Sequence, residues 1–212
     1  MRNLMSQVNQ ANLFNKPSTG TKIPVGTHNN IKLTDIKLVP GEGTDTYIEY
    51  HFEDEDGAVH HNRIYDFNPE YSKARSYQDK AGNTVNVTKE EQEIKDLESL
   101  LKKIASPAYA LLDPEEVEAG MNMTGVPAYM NSIKNMLMPK IGEMVSIKLL
   151  PTKDLKYSQF PYFGDWIYAN GNANSFYHSK YEKNLLEEYN DSAPTSDEAV
   201  VPGPSILPGS AS

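Results

Sequence analysis

The chain has 212 residues, with 20 Lys and Arg against 29 Asp and Glu, and its formal net charge at neutral pH is −9. It contains no cysteine, which excludes disulfide frameworks, thiolate zinc sites and cysteine nucleophiles. No apolar run approaches the roughly 20 residues of a membrane-spanning helix, and residues 1–18 lack the apolar core of a secretory signal. We therefore expect a cytoplasmic protein.

The first predicted elements are three strands that follow a flexible arm. Residues 1–21 are rich in Asn, Gln and Ser and predict that arm. Apolar residues stand at 31 and 33 and then, one position out of phase, at 36 and 38, which predicts a long strand with a bulge. Residues 47–53 alternate strictly, and Asp56-Gly57 predicts a hairpin turn into a strand over 59–67. The three strands form a meander.

Helices and further strands follow. Thr88 and Glu91 predict a capping box, and the apolar spacing after it predicts a helix over 89–105 that Pro107 ends or kinks. The patterns beyond it predict a helix over 127–138, a strand over 144–150, an extended segment over 160–168 and a helical segment over 181–189.

This element order predicts the fold class. Three strands, a helical insertion at about 88–138 and two more strands are the order of the OB-fold, a five-stranded Greek-key barrel. We predict an α+β fold, mainly β and OB-fold-like, over residues 22–186. The order alone also suits other α+β domains.

Residues 187–212 predict a disordered acidic tail. They contain four prolines and no basic residue, and such a segment cannot bury enough apolar surface to order itself. Its acids are Glu187, Glu188, Asp191, Asp197 and Glu198. Because these five account for more than half of the net charge, the other 186 residues carry only −4.

Two stretches interleave cations with aromatic rings. A groove for single-stranded nucleic acid needs cations for phosphates and exposed rings on which bases stack. The candidate contacts are Arg63, Tyr65, Lys73, Arg75, Tyr77, Lys148, Lys153, Lys156, Tyr157, Phe160, Tyr162 and Trp166. The same rings could instead fill a barrel core, and for Tyr65, Tyr77, Tyr157, Tyr162 and Trp166 the sequence leaves both roles open.

The sequence offers little for catalysis. No nucleophile elbow, Walker loop or zincin motif is present. His60 and His61 point to opposite faces of a strand, and His51 lies across from one of them, which predicts at most two metal ligands. The acidic residues 53–57 fit a solvated hairpin turn better than a calcium loop, because strands flank them. We predict no enzyme activity, no metal and no cofactor, and a metal enzyme would need His51, His61 and an acid to converge.

Residues 23–33 (IPVGTHNNIKL) and 47–57 (YIEYHFEDEDG) resemble phage single-stranded DNA-binding proteins of the OB-fold type. The acidic C-terminal segment resembles that class by composition. The resemblance implies sequence-independent binding of single-stranded DNA in phage replication and recombination, in the host cell cytoplasm. It also implies that the tail recruits replication or recombination proteins and competes with DNA.

Several alternatives stay open at this point. The acids stop at Glu198 and no terminal aromatic follows, so the tail could act by electrostatic exclusion alone or as a passive linker. The choice between DNA and RNA and a possible homo-oligomer are undecided. The alternative function is a non-catalytic virion or assembly protein, a protein–protein binding module whose basic stretches would lie on opposite faces.

Overall fold

A computed structural model describes residues 22–42, 45–79, 81–161 and 164–192. Within this part, a curled antiparallel sheet forms a half-barrel that packs against helices, so the predicted α+β class is confirmed. The strands are β1 Gly26–Val39, β2 Tyr47–Glu53, β3 Val59–Tyr65, β4 Arg75–Gln78, β5 Thr84–Val87, β6 Met144–Pro151, β7 Ser158–Gln159 and β8 Ile167–Ala169. The helices are α1 Lys89–Leu111, α2 Pro114–Gly120, α3 Val126–Leu137 and α4 Lys180–Ser192. The helices occupy as much of the described chain as the strands, so "mainly β" is wrong.

The long strand β1 is the centre of the sheet. The order is β3-β2-β1-β6, and β7 and β8 both pair with β6. The first half of β1 pairs with β6 and its second half with β2. The register against β2 slips between Leu33 and Asp35, which confirms the predicted bulge and returns Ile36 to the buried face.

The β2–β3 hairpin forms as its sequence predicts. The Asp54 carboxylate accepts hydrogen bonds from the N–H groups of Asp56 (3.0 Å) and Ala58 (2.7 Å), and Gly57 has a φ of +80°. The acidic run is therefore a hairpin turn. Ile48, Tyr50 and Phe52 are buried, so the alternate residues of β2 lie on the other face of the sheet.

Helix α1 begins at the predicted residue and ends later than predicted. Thr88 and Glu91 form the capping box, in which the Thr88 hydroxyl accepts from the Glu91 N–H (3.2 Å) and the Glu91 carboxylate accepts from the Thr88 N–H (2.9 Å). The helix then continues through Pro107 to Leu111. Proline has no N–H to donate to the carbonyl of Lys103, and the indole N–H of Trp166 donates to that oxygen instead (3.3 Å).

The core lies between the sheet and helices α1 and α3. Tyr50 donates a hydrogen bond to the carbonyl of Ile104 in α1 (2.6 Å). Trp166 is 0% exposed, and its ring centroid lies 4.8 Å from that of Phe160 and 5.9 Å from those of Tyr50 and Phe52. An aromatic cluster therefore joins the sheet to the middle of α1.

No ladder among the described residues joins β3 to β7 or β8. At the start of β3, a few individual contacts nevertheless connect this strand region to β7. Lys22 forms a parallel bridge with Val59, the hydroxyl of Ser158 donates to the carbonyl of Ile23 (2.8 Å), and His60 donates to the carbonyl of Ser158 (3.0 Å). The start of β3 thus lies beside the start of β7, next to the β6–β7 loop.

Several elements differ from the sequence prediction. Among the described residues of the extended segment predicted over 160–168, only Ile167 and Tyr168 lie in a strand. The hairpin β4–β5 and the short helix α2 were not predicted, because their polar and acidic sequences resemble loops. Helix α4 extends to Ser192 and includes Glu187, Glu188 and Asp191, so a disordered tail from residue 187 is wrong. Leu185 is buried and anchors α4. The predicted arm over 1–21 and residues 193–212, with Asp197 and Glu198, lie outside the described residues.

Candidate functional site

Polar and aromatic side chains form a continuous surface on the side of β1, β2 and β3 that faces away from the core. Because the three strands pair in register, three cross-strand rows result. We call this surface the outer face and define it by Asp35, Lys37, Tyr47, Glu49, His51, His61, Arg63 and Tyr65. Its position follows from strand alternation, since the residues between these point into the core.

One end of the outer face carries two rings and a cation. The rings of Tyr47 and Tyr65 pair across β2 and β3 with centroids 5.1 Å apart, and Tyr65 is 50% exposed. The Arg63 guanidinium lies 5.5 Å from the centroid of Tyr47 and donates to the carboxylate of Glu49 (3.0 Å). That hydrogen bond raises the pKa of Arg63. An ordered ring surface next to a fixed cation is suited to stacking an unpaired base.

The middle of the outer face holds a carboxylate among two imidazoles. Glu49 is only 5% exposed. Its Oε1 lies 3.4 Å from Nδ1 of His61, and its Oε2 lies 3.7 Å from Nε2 of His51. The two imidazole rings stack with centroids 4.0 Å apart. Burial lowers the pKa of His51, with smaller contributions from His61 and Lys37, so this imidazole is neutral at neutral pH.

A cleft of about 440 Å³ continues from the outer face to helix α1. Arg63 and Tyr65 line it from β3, Tyr71 from the turn after β3, and Asp96 from α1. Tyr71 is 82% exposed, so its ring is accessible from the cleft. Lys73, Arg75 and Tyr77 follow this turn, and all three are exposed on or beside β4. Of the first predicted stretch, Arg63 and Tyr65 thus line the cleft together with Tyr71, whereas Lys73, Arg75 and Tyr77 are not among its lining residues.

The second predicted stretch divides between the core and a loop. Lys153, Lys156 and Tyr157 are exposed in the β6–β7 loop, and the Lys22 ammonium lies 4.9 Å from the Tyr157 ring centroid. This loop lies near the start of β3, six residues from Tyr65, which corresponds to about 20 Å along the strand. Tyr65 and this loop thus lie near opposite ends of β3. Tyr162 lies outside the described residues.

Three predicted nucleic-acid contacts are wrong because their side chains are internal. Phe160 and Trp166 belong to the aromatic core cluster. Lys148 is 2% exposed, and its ammonium donates to a Glu182 carboxylate oxygen (3.1 Å) and to the carbonyl of Tyr177 (2.9 Å). Strand β6 is covered on both faces, with α4 over Lys148, so this lysine holds the last described helix in place.

The sequence analysis also missed residues of the site. Tyr47 and Glu49 share the alternation of β2 with His51, so the pattern already placed a carboxylate on the histidine face. The prediction of at most two metal ligands was based on the histidines alone and left out Glu49. In the structure His51, His61 and Glu49 converge, with one potential ligand atom of each within 4.8 Å of the others.

A second cleft, of about 540 Å³, lies between α1 and β8. Tyr168 at its wall donates to the carboxylate of Asp165 (2.7 Å), and burial together with that hydrogen bond raises the pKa of Tyr168 to about 12. The Tyr168 hydroxyl proton is therefore already donated to Asp165, and this cleft is not the site of the function proposed below.

Within the described parts of the chain, no helix is long and apolar enough to cross a membrane. Comparison of the chain with models of protein families, with curated proteins and with solved structures finds no match to any of them.

Proposed function

We propose that the protein binds single-stranded DNA without sequence preference and acts in phage DNA replication or recombination. The observation that carries the proposal is the exposed ring of Tyr65, which pairs with the half-buried ring of Tyr47, with Arg63 beside them and Tyr71 in the adjoining cleft. Base stacking on such rings tolerates every base, since each has a π face.

We further propose that the domain is of the OB-fold type. In support, β1 pairs with β2 on one side and, on the other, with β6, the first strand of the main sheet after the helices. OB-folds bind oligonucleotides on the face of their second and third strands, and here that face carries the rings. The proposed DNA strand crosses the outer face from Tyr71 toward the β6–β7 loop.

Charge determines where phosphates would be held. The positive charge of Arg63 is neutralised by Glu49, so its main role in the proposal is to orient the two rings and not to hold a phosphate. The exposed cations Lys73 and Arg75 at one end, and Lys153 and Lys156 at the other, are the proposed phosphate contacts. Because these contacts are surface charges, affinity should fall as salt rises.

The test is fluorescence anisotropy of a labelled oligo-dT with the full chain and two variants. Tyr65→Ala should weaken binding by about 5-fold to 150-fold, since one stacked base is worth roughly 1–3 kcal/mol. Tyr181→Ala is the matched control, because Tyr181 is also well exposed but lies on α4. An absence of binding at low salt, or an equal loss in both variants, would reject the proposal and favour the protein–protein binding alternative.

A further inference from the structure

We propose that Glu49, His51 and His61 bind one divalent transition-metal ion of the zinc class on the outer face. The proposal does not depend on nucleic-acid binding. It rests on three observations: the spacing of the potential ligand atoms, the burial of the carboxylate, and an imidazole nitrogen that has no hydrogen-bond partner in the described structure.

The hairpin generates the cluster by simple register. Glu49 and His51 are two residues apart on β2 and therefore point to the same side, and His61 lies directly across from His51 on β3. Adjacent antiparallel strands place such side chains within about 5 Å of each other at their Cβ atoms. The cluster therefore lies on two paired strands and not on mobile loops, which reduces the entropy lost on binding a metal.

The potential ligand atoms lie close together, although somewhat farther apart than in a tetrahedral zinc site. Two ligand atoms bonded to zinc at about 2.0–2.1 Å and at the tetrahedral angle lie about 3.3–3.4 Å apart. In the structure Nδ1 of His61 is 3.4 Å from Oε1 of Glu49, and Nε2 of His51 is 3.7 Å from Oε2. These two distances end on different carboxylate oxygens, but one potential ligand atom of each residue lies within 4.8 Å of those of the other two, so the imidazoles would have to turn toward one oxygen to share an ion.

The donor chemistry selects the metal class. Two imidazoles and one carboxylate suit Zn²⁺ and its neighbours, whereas Mg²⁺ and Ca²⁺ prefer oxygen ligands. Nε2 of His51 is buried without a hydrogen-bond partner and faces the carboxylate, so a metal would satisfy it. His61 is about half exposed, which provides an entry path and leaves the fourth coordination position to solvent.

Arg63 and a metal ion would both bind the Glu49 carboxylate. Nε of Arg63 donates to Oε1 of Glu49, so the metal would take Oε2 and leave that hydrogen bond in place. The alternative role of the cluster is electrostatic, with Arg63 and the two histidines only compensating a buried carboxylate. Metal titration separates the two roles, because compensation of charge requires no ion.

The experiment titrates metal-free full-length protein with Co²⁺, followed by visible absorption, and with Zn²⁺ in competition with a chromophoric chelator. We expect one ion per chain and the intense visible bands of tetrahedral cobalt. His61→Gln should weaken binding at least tenfold, because even loss of an outer-shell partner costs about 10–100-fold. Glu49→Gln should act in the same direction.

His60→Gln is the matched control. His60 neighbours His61 in sequence but points to the other side of the sheet, toward Ser158 and Phe160. The His60→Gln variant should bind metal with the affinity of the unchanged protein. The absence of 1:1 binding, or an equal loss in His60→Gln and His61→Gln, would overturn the proposal. Thermal unfolding of each metal-free variant identifies those that fail to fold, and the exposed His61 keeps the test decisive if Glu49→Gln does not fold. The titration contains no DNA, so its failure leaves the proposed function untouched.

Discussion

Replacing Lys148 tests whether this lysine supports the fold or contacts DNA. Lys148 is buried, and its ammonium binds Glu182 and the Tyr177 carbonyl. Lys148→Met keeps much of the side-chain volume but leaves the Glu182 carboxylate without its cation in the interior. Removal of one partner of a buried ion pair costs about 3–5 kcal/mol. For a chain of this length, each kcal/mol lowers Tm by about 2–4 °C, so we expect a loss of roughly 6–20 °C.

The matched variant is the double change Lys148→Met with Glu182→Leu. Because it removes both charges and leaves neither uncompensated, it should recover part of the lost stability, the remaining loss being the hydrogen bond that the Ser179 N–H donates to Glu182. Thermal unfolding followed by fluorescence of the single, buried Trp166 provides the measurement. Oligo-dT affinity, measured below the Tm of each variant, should change less than twofold. A Tm within 2 °C of the unchanged protein together with a tenfold loss of affinity would refute the structural role.

The same ion pair predicts a dependence of stability on pH. Burial by itself would raise the pKa of Glu182, but hydrogen bonds from the Ser179 N–H and from Lys148 lower it below its ordinary value of 4.5. A carboxyl whose pKa is lower in the folded state stabilises the fold above its unfolded pKa. That contribution is lost as pH falls from about 4.5 through the folded pKa. The gap in Tm between the unchanged protein and Lys148→Met should therefore narrow on acidification, because without Lys148 the Glu182 carboxylate of the variant is protonated at a higher pH than that of the unchanged protein, and a constant gap would contradict this assignment.

Two further predictions concern the C-terminus and the core. Truncation after Ser192 removes Asp197 and Glu198 but keeps α4, so oligo-dT affinity at low salt should rise by about twofold to tenfold, and the gain should shrink at high salt. If this truncation leaves the affinity at low salt unchanged, the removed segment is a passive linker. Truncation after residue 186 also removes part of α4 and should therefore lower Tm as well. Trp166→Phe removes the indole N–H from the Lys103 carbonyl and should cost about 1–3 kcal/mol in urea unfolding followed by circular dichroism, whereas Tyr168→Phe, which removes a surface hydrogen bond, should stay within about 0.5 kcal/mol.

Features with a local cause were predictable from sequence. The bulge in β1 follows from a phase slip in four apolar residues, and the β2–β3 turn follows from Asp-Gly after an acidic run. The capping box of α1 involves only residues 88–91. In each case the interacting groups are neighbours in the chain, so the pattern contains the whole physical cause.

The site is different, because its groups are distant in sequence. The alternation of β2 places Glu49 beside His51, but only the pairing with β3 brings His61 and Arg63 to the same carboxylate. The aromatic and basic composition of residues 148–166 suggests a DNA groove. The tertiary structure instead buries Trp166 against α1 and Lys148 against α4.

By itself, the sequence determined the meander, the start of α1, the α+β class and the absence of thiol chemistry. Tertiary structure alone decided which cations and rings reach solvent, that Pro107 lies inside a continuing helix, and that the acids at 187–191 belong to α4. The physical reason is that burial of these polar groups depends on hydrogen-bond partners that are distant in sequence. Trp166 provides that partner for the Lys103 carbonyl and Glu182 provides it for Lys148, and neither pairing has a local signal in the sequence.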